Sequence, residues 1–295
     1  MRVSDPMFKQ LTIQQNAKNA QALFEAGEPL MTGRRVNRPS DDPIAAARIA
    51  ELDRALAKFG AYEKARTMVE LDLTTMEGTL QTAQSVLGQL KELAVQMVND
   101  TYNADDRAAA ATAAAGLRDQ LIKLANTQQA DGRYLFAGVA EGAPAYDVVT
   151  GAYQGSAINR ELEILPGLFV EGTLNGAQTF GGGPGPTVFE EIDALIAGLQ
   201  ANDQVAIQQS IGNLDTATAT VGIAQSRIGG ALQNLDLAAV TTDDLKFNLL
   251  LRRSSEQDPD IATQASMYSS AEQALTASIE LSKKLLTSSL LQWLR

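Results

Sequence analysis

The chain has 295 residues, is 45% hydrophobic and 20% charged, and carries a net charge of −11 with a pI near 4.6. That composition can bury a sizeable core. Cysteine and histidine are both absent, which removes the usual zinc ligands, thiol nucleophiles and Ser-His or Cys-His dyads. The acidic balance argues against nucleic acid or an anionic membrane surface as a partner. Aromatic residues make up 5%, few for stacking platforms. A structural protein without a cofactor or metal is expected over an enzyme.

Residues 1–35 lack the apolar core of a signal peptide, their longest apolar run being Ala22-Leu23-Phe24, and no stretch approaches the roughly 20 apolar residues that span a bilayer. Zero cysteine fits a cytosolic protein and equally an exported one. The front of the chain reads as a weakly amphipathic helix. Phe8, Leu11 and Ala22 share one stripe, interrupted by Gln15 and Lys18, and Ile13, Ala17, Ala20 and Phe24 form a second. Gly27 and Pro29 predict a break in this helix.

From Val69 the apolar positions run Leu73, Met76, Leu80, Ala83, Leu87, Leu90, Ala94 and Met97, in steps that alternate four and three. The same rhythm runs back through Arg66, Tyr62, Phe59, Ala55 and Leu52, with Arg66 the poor fit. A period of 3.5 predicts a coiled-coil-like helix over 43–100, about 87 Å long at 1.5 Å per residue. A shorter helix is predicted on Ala113, Leu117, Leu121 and Leu124. Residues 138–185 hold 11 of the 23 glycines, which marks a turn-rich insert over 134–186. Its strand candidates are Tyr134-Leu135-Phe136, a hairpin of Tyr146–Val149 with Ala152-Tyr153, the alternating run Arg160–Leu165, and Leu168-Phe169-Val170. The Gly181–Pro186 run reads as a linker, since it lacks the Gly-Lys-Ser/Thr of a phosphate loop.

A second seam follows: Ile207, Ile211, Leu214, Thr218, Val221, Gln225, Ile228, Leu232 and Leu235, diluted at Thr218 and Gln225. In the tail, Leu275, Ile279, Leu286, Leu290 and Trp293 recur at helical spacing, with Leu281, Leu285, Leu291 and Leu294 widening the stripe. Residues 1–40 carry six basic and three acidic side chains, and 261–295 carry three and two, so the ends are mildly basic and the middle strongly acidic. These end helices could pair within one bundle. The width of the stripe points instead to packing against copies of the chain.

Three Asp pairs are the only metal-ligand candidates: Asp41-Asp42 before Pro43, Asp105-Asp106, and Asp243-Asp244 after Thr241-Thr242. Each stands at an expected helix start, where a carboxylate caps free N–H groups and Pro suits the first turn. Thr241-x-x-Asp244 fits a capping box. Capping is therefore expected over a metal-dependent hydrolase.

Several blocks resemble a known family. Met1-Arg2-Val3-Ser4, then Thr32–Pro43 with Ser40-Asp41-Asp42-Pro43 at its end, then Ala45-Ala46-Ala47, is similar to the N-terminal signature of the bacterial flagellin superfamily. Ser-Asp-Asp-Pro, with Asn126–Gln129 and Tyr134–Gly138, resembles its hook-associated members at the hook–filament junction. Asp260-Ile261-Ala262 and Ser288–Arg295 resemble the C-terminal block, although Leu294-Arg295 is also filament-flagellin-like.

The resemblance implies a mainly α fold: a long antiparallel coiled-coil-like bundle built from both chain ends, with a β-rich domain inserted in the middle. Its expected layers are an inner-tube assembly domain (1–40 with 257–295), a bundle (41–133 with 187–256) and an outward insert (134–186). It implies a structural adaptor joining a neighbouring hook-associated protein to flagellin, assembled as a ring of copies. It also implies export by the flagellar type III apparatus without a cleaved signal, an export chaperone on the C-terminal helix, and an extracellular place on the flagellum. The assembly interface is expected at Phe8, Leu11, Leu23, Leu275, Ile279, Leu286, Leu290 and Trp293, with Ser40, Asp41, Asp42 and Pro43 as signature and helix cap. A short filament flagellin and a cytoplasmic coiled-coil scaffold are the alternatives.

Overall fold

The computed structural model describes residues 5–183 and 185–293; the side chains of 5, 6, 8, 9 and 285–293 fall outside that description. The elements are α1 (Asp5–Thr32), α2 (Pro43–Met97), α3 (Ala104–Ala125), β1 (Glu161–Leu165), β2 (Leu168–Glu171), α4 (Gly176–Thr179), α5 (Val188–Gln200), α6 (Gln204–Gln257) and α7 (Ile261–Trp293). They form two compact units, one of Met1–Lys58 with Leu245–Arg295, the other of Phe59–Asp244.

The Phe59–Asp244 unit holds the main core. Every α2 seam position from Val69 to Met97 is buried, seven of the nine at 0% exposure, as the strict 3.5 period requires. The backward extension behaves differently. Phe59, Tyr62 and Arg66 are only half-buried. On α6 the buried line is Ile207, Ser210, Leu214, Ala217, Val221, Ala224, Ile228, Leu235 and Ala238, ending at Thr242. The predicted seam thus has Ile207, Leu214, Val221, Ile228 and Leu235 buried and Ile211 and Leu232 half-buried against the same core. Thr218 and Gln225 sit half-buried on the flank, while Ala217 and Ala224 occupy the seam. Small residues let the helix approach its neighbours closely, so alanine replaces the larger apolar residues there.

On α3, of the predicted positions only Ala113 is exposed; Leu121 is buried and Leu117 and Leu124 are half-buried against the core. The buried face also holds Arg107, Ala110, Ala111, Ala114, Arg118, Ile122 and Ala125. The two buried arginines act as staples. Arg107 donates from Nε to the Met97 carbonyl (2.8 Å) and from Nη2 to the Asn99 carbonyl (3.1 Å), and it bonds the Asn202 side chain. It therefore satisfies carbonyls left open at the C-terminal end of α2. Arg118 forks onto Asp193 of α5 (2.7 and 3.0 Å) and reaches the Val149 carbonyl (3.1 Å).

The insert contains less sheet than expected. β1 and β2 form one antiparallel hairpin, Glu161 opposite Glu171 and Leu162 opposite Val170. Tyr134 and the 146/153 pair contribute only single bridges to Gln128 and to each other. The run from Gly181 is not a simple linker, because Gly181 bridges Thr187. An aromatic cluster holds the insert together. Tyr146, Phe136, Phe180 and Phe189 are all fully buried, with ring centroids 4.9 Å apart for Tyr146–Phe189 and 5.3 Å for Phe136–Phe180. The Tyr146 hydroxyl donates to the Gly181 carbonyl at 2.8 Å; burial raises its pKa well above the ordinary phenol value, so it stays a donor. Gly138 has φ 65° and an added Cβ would lie 2.3 Å from the Ser156 carbonyl oxygen, so the turn there admits only glycine.

Two expected boundaries are absent. α1 runs through Gly27 and Pro29 without a break. Pro29 stands in the last turn, where the ladder is ending, and Gly33 at φ 67° closes the helix by donating to the Pro29 carbonyl at 3.0 Å. Thr241–Asp244 is not a helix start but lies inside α6. The hydroxyls of Thr241 and Thr242 donate back to the carbonyls of Leu237 (2.9 Å) and Ala238 (2.7 Å), the mid-helix alternative to capping.

Candidate assembly interface

In the Met1–Lys58/Leu245–Arg295 unit, the connection between α1 and α2 is built by carboxylates. Asp42 caps α2: its Oδ1 accepts the Ala45 N–H at 3.0 Å, with Pro43 as the first helical residue, and its Oδ2 accepts from Arg35 at 2.9 Å. Asp41 turns the other way and accepts the N–H groups of Asn37 (3.0 Å) and Arg38 (2.7 Å). Ser40 donates to Asp41 at 3.4 Å. Arg35 donates to the Glu256 carbonyl at 2.7 Å, and Arg48 pairs with Glu256 at 3.1 Å, which ties the connection to the end of α6. Asp260 then opens α7, accepting from the Ala262 N–H (3.1 Å) and the Thr263 hydroxyl (2.6 Å).

Backbone N–H donors, first of all, hold the carboxyls of Asp41 and Asp42 below the ordinary value of 3.8. A lowered folded-state pKa contributes stability that is present above the unfolded value and is lost as pH falls through the folded one. Helicity of this unit is therefore expected to decline below about pH 4, as circular dichroism at pH 7 and pH 3 would measure. Asp42→Ala should lower the melting temperature at pH 7 and blunt that decline. An unchanged acid profile would show that the cap contributes nothing.

The Asp105-Asp106 pair is also capping structure, with a correction. The cap is Asn103, whose side chain accepts from the Asp106 N–H at 2.9 Å while Asp106 accepts from the Asn103 N–H at 3.1 Å. Among the described residues no group of three or more acidic side chains stands together as a metal site.

α1 and α7 pack against each other. On α1 the half-buried line is Thr12, Asn16, Asn19, Leu23, Ala26 and Leu30, in steps of four and three. On α7 it is Gln264, Ala271, Leu275, Ser278 and the buried Ser282. Asn16 donates to the Ser282 hydroxyl at 3.0 Å and accepts from that of Ser278, and Gln264 donates to the Ala26 carbonyl at 2.9 Å. The line between the helices thus mixes polar side chains with Leu23, Ala26, Leu30, Ala271 and Leu275. Other apolar residues point outward: Leu11, Ile13, Phe24 and Met31 on α1 are 52–71% exposed, and Met267, Ile279 and Leu281 on α7 are 40–60% exposed. Both stripes expected on α1 belong to this outer surface, apart from Phe8, whose side chain is not described. Around Gly27 the outer surface has an open hollow of about 370 Å³, lined by Ala20, Phe24, Met31 and Tyr268 among others.

Of the eight interface residues expected from sequence, Leu11 and Ile279 lie on the outer face. Leu23 and Leu275 lie half-buried on the line between the helices, so they also serve the pairing within the chain. The side chains of Phe8, Leu286, Leu290 and Trp293 lie outside the described residues.

A model of the bacterial flagellin N-terminal helical region matches residues 3–141. The chain is 28% identical to flagellar hook-associated protein 3 of Salmonella typhimurium over 94% of this chain and 95% of that protein. It is 32% identical to flagellar hook-associated protein 3 of Escherichia coli K12, over 77% of this chain and 75% of that one. The chain belongs to the flagellar hook-associated protein 3 family. The Xanthomonas campestris FlgL crystal structure shares the fold, with TM-score 0.63 at 21% identity, covering 69% of this chain and 99% of that one. The family accounts for the terminal signature blocks and for the long helices that carry them. No helix among the described residues is long and apolar enough to cross a membrane.

One site in this family member had no expectation from sequence. In the Phe59–Asp244 unit, Asp72 of α2 is 1% exposed. It accepts from Gln129 (2.9 Å) and Arg133 (3.2 Å) and pairs with Arg160. Glu141 faces the same two guanidiniums at 3.6 and 3.3 Å, and Asp131 pairs with Arg133 at 2.6 Å. The cluster locks the 129–133 turn, Glu141 and Arg160 onto one helix.

Proposed function

We propose that the chain is a structural adaptor of the bacterial flagellum, joining a neighbouring hook-associated protein to flagellin at the hook–filament junction and acting without catalysis. The observation that carries this reading is the α1–α7 pair, which has Asn16, Ser278 and Ser282 among its inner contacts and turns Leu11, Ile13, Phe24, Ile279 and Leu281 outward. A helix pair with its apolar residues outside is a poor end state alone and a good one among copies, where those residues leave water. The Met1–Lys58/Leu245–Arg295 unit is the inner assembly layer in this proposal, with copies arranged in a ring. The insert faces outward.

Charge supports the same division. Phe59–Asp244 has 9 basic and 23 acidic side chains, whereas the terminal unit has 15 and 12. Like charge keeps separate bodies apart while the terminal unit is free to associate. Export through the flagellar type III apparatus, a place outside the cell, and a chaperone covering the C-terminal helix before assembly complete the proposal.

Cells lacking the chain should carry hooks without filaments and lose flagellin to the medium, as seen by negative-stain microscopy. Intact filaments on such cells would overturn the reading. Micrometre filaments grown from the purified chain alone would identify a filament flagellin instead, and retention in sheared, appendage-free cells would identify an internal scaffold.

A further inference from the structure

Apart from Arg35, which donates to the Glu256 and Gln257 carbonyls where the two helices meet α2 and α6, the α1–α7 pair has few features that fix how far one helix slides along the other. Leu23, Leu30 and Leu275 are the large apolar side chains between the helices, and leucine packs against leucine or alanine in more than one alignment. Asn16 is different. It donates to the Ser282 hydroxyl at 3.0 Å and accepts from the Ser278 hydroxyl, and Ser282 in turn donates to the Ser278 carbonyl at 2.6 Å. At the other end Gln264 donates to the Ala26 carbonyl at 2.9 Å, and an added Cβ on Gly27 would lie 3.2 Å from the Tyr268 ring. These contacts place Asn16 level with Ser278 and Gly27 level with Tyr268 in an antiparallel pair.

A slide of one heptad in one direction sets Asn16 against Ala271, and in the other sets Ser278 against Leu23. Either slip leaves the carboxamide or a hydroxyl without its partner in a half-buried line. We propose that Asn16, with Ser278 and Ser282, selects the register of the terminal helix pair. Asn16 is a positioning residue: it holds α1 and α7 at the offset where Leu11 of one helix and Leu281 of the other line one exposed hollow. Polar side chains at seam positions serve register at a cost in stability, which explains why a pair this short of apolar contact has not replaced them.

The inference rests on the proposed function only for its consequence in assembly. Register is read in the monomer. The full chain has no cysteine, so introduced pairs are its only thiols. Leu23→Cys with Ala271→Cys reports the native register, and Leu30→Cys with Ala271→Cys reports a one-heptad slip. Oxidised in dilute solution, the native pair should close with about tenfold preference over the slip pair, the discrimination expected of one hydrogen-bonded buried side chain. In an Asn16→Leu background the two should close to similar extents, and the swap Asn16→Ser with Ser278→Asn should restore the preference. Ser278→Ala with Ser282→Ala gives the same slip by removing only hydroxyls, and it decides the matter if Asn16→Leu closes neither pair. A preference unchanged in the alanine variant overturns the proposal. If register slips in these variants and filaments still grow on cells carrying them, the register assignment stands and the terminal-helix interface falls.

Discussion

A chain cut before Leu275 is expected to keep the Phe59–Asp244 unit folded and to lose assembly entirely. That unit has its own core of α2, α3, α5 and α6 residues, none of which lies beyond Ala238. Its melting transition should therefore move by no more than a degree or two, within the range of distant, uncoupled changes. The terminal unit loses the second half of α7, and with it Ser278 and Ser282, the two partners of Asn16. α1 is intact but has the first half of its half-buried line, Thr12, Asn16 and Asn19, left without the facing part of α7, and an isolated helix with that composition is marginal. Cells carrying only the truncated chain should bear hooks and no filaments, with the truncated protein found in the medium. Its presence there separates failure to assemble from failure to leave the cell. Filaments on those cells would show that the terminal helices are not the interface.

The second large effect is at Asp72. Asp72→Ala should destabilise the Phe59–Asp244 unit by about 3 kcal/mol, at the lower end of what breaking a buried ion pair costs. The lower end applies because Arg133 and Arg160 keep about a fifth of their side-chain surface in water and retain Glu141. Asp72→Asn keeps an acceptor for Gln129 and should cost roughly half as much. Chemical denaturation of the full chain measures both, and the loop from Gln129 to Arg160 should become an early site of proteolysis in the alanine variant. A loss below about 1 kcal/mol would place the cluster among ordinary surface pairs.

Legibility varied with the kind of force that holds each part. The α2 seam could be read because nine consecutive core positions are filled by apolar residues at one strict period. The α6 seam was half-read, since alanine and threonine compete as seam residues and only depth in the structure separates Ala217 from Thr218. The insert resisted because a buried aromatic cluster and an ionic cluster hold it, with little help from strand ladders. Asp72 sits between Leu71 and Leu73, and its partners at 129, 133 and 160 are 57 to 88 residues away. Nothing local marks it. The terminal pair reversed the usual rule. Apolar stripes mark the outer surface of α1, whereas Asn16 and Asn19, whose polar side chains face α7, lie outside them.

Asn16 and Ser282 are 266 residues apart in sequence, whereas the Phe59–Asp244 unit is one uninterrupted stretch. The stretch can collapse on its own contacts, but α1 has no mate until α7 exists beside it. Chain closure of that length is slow relative to local helix formation. The adhesive surface is therefore completed last, after the body has taken shape, so a half-made chain offers its neighbours nothing properly formed to grip.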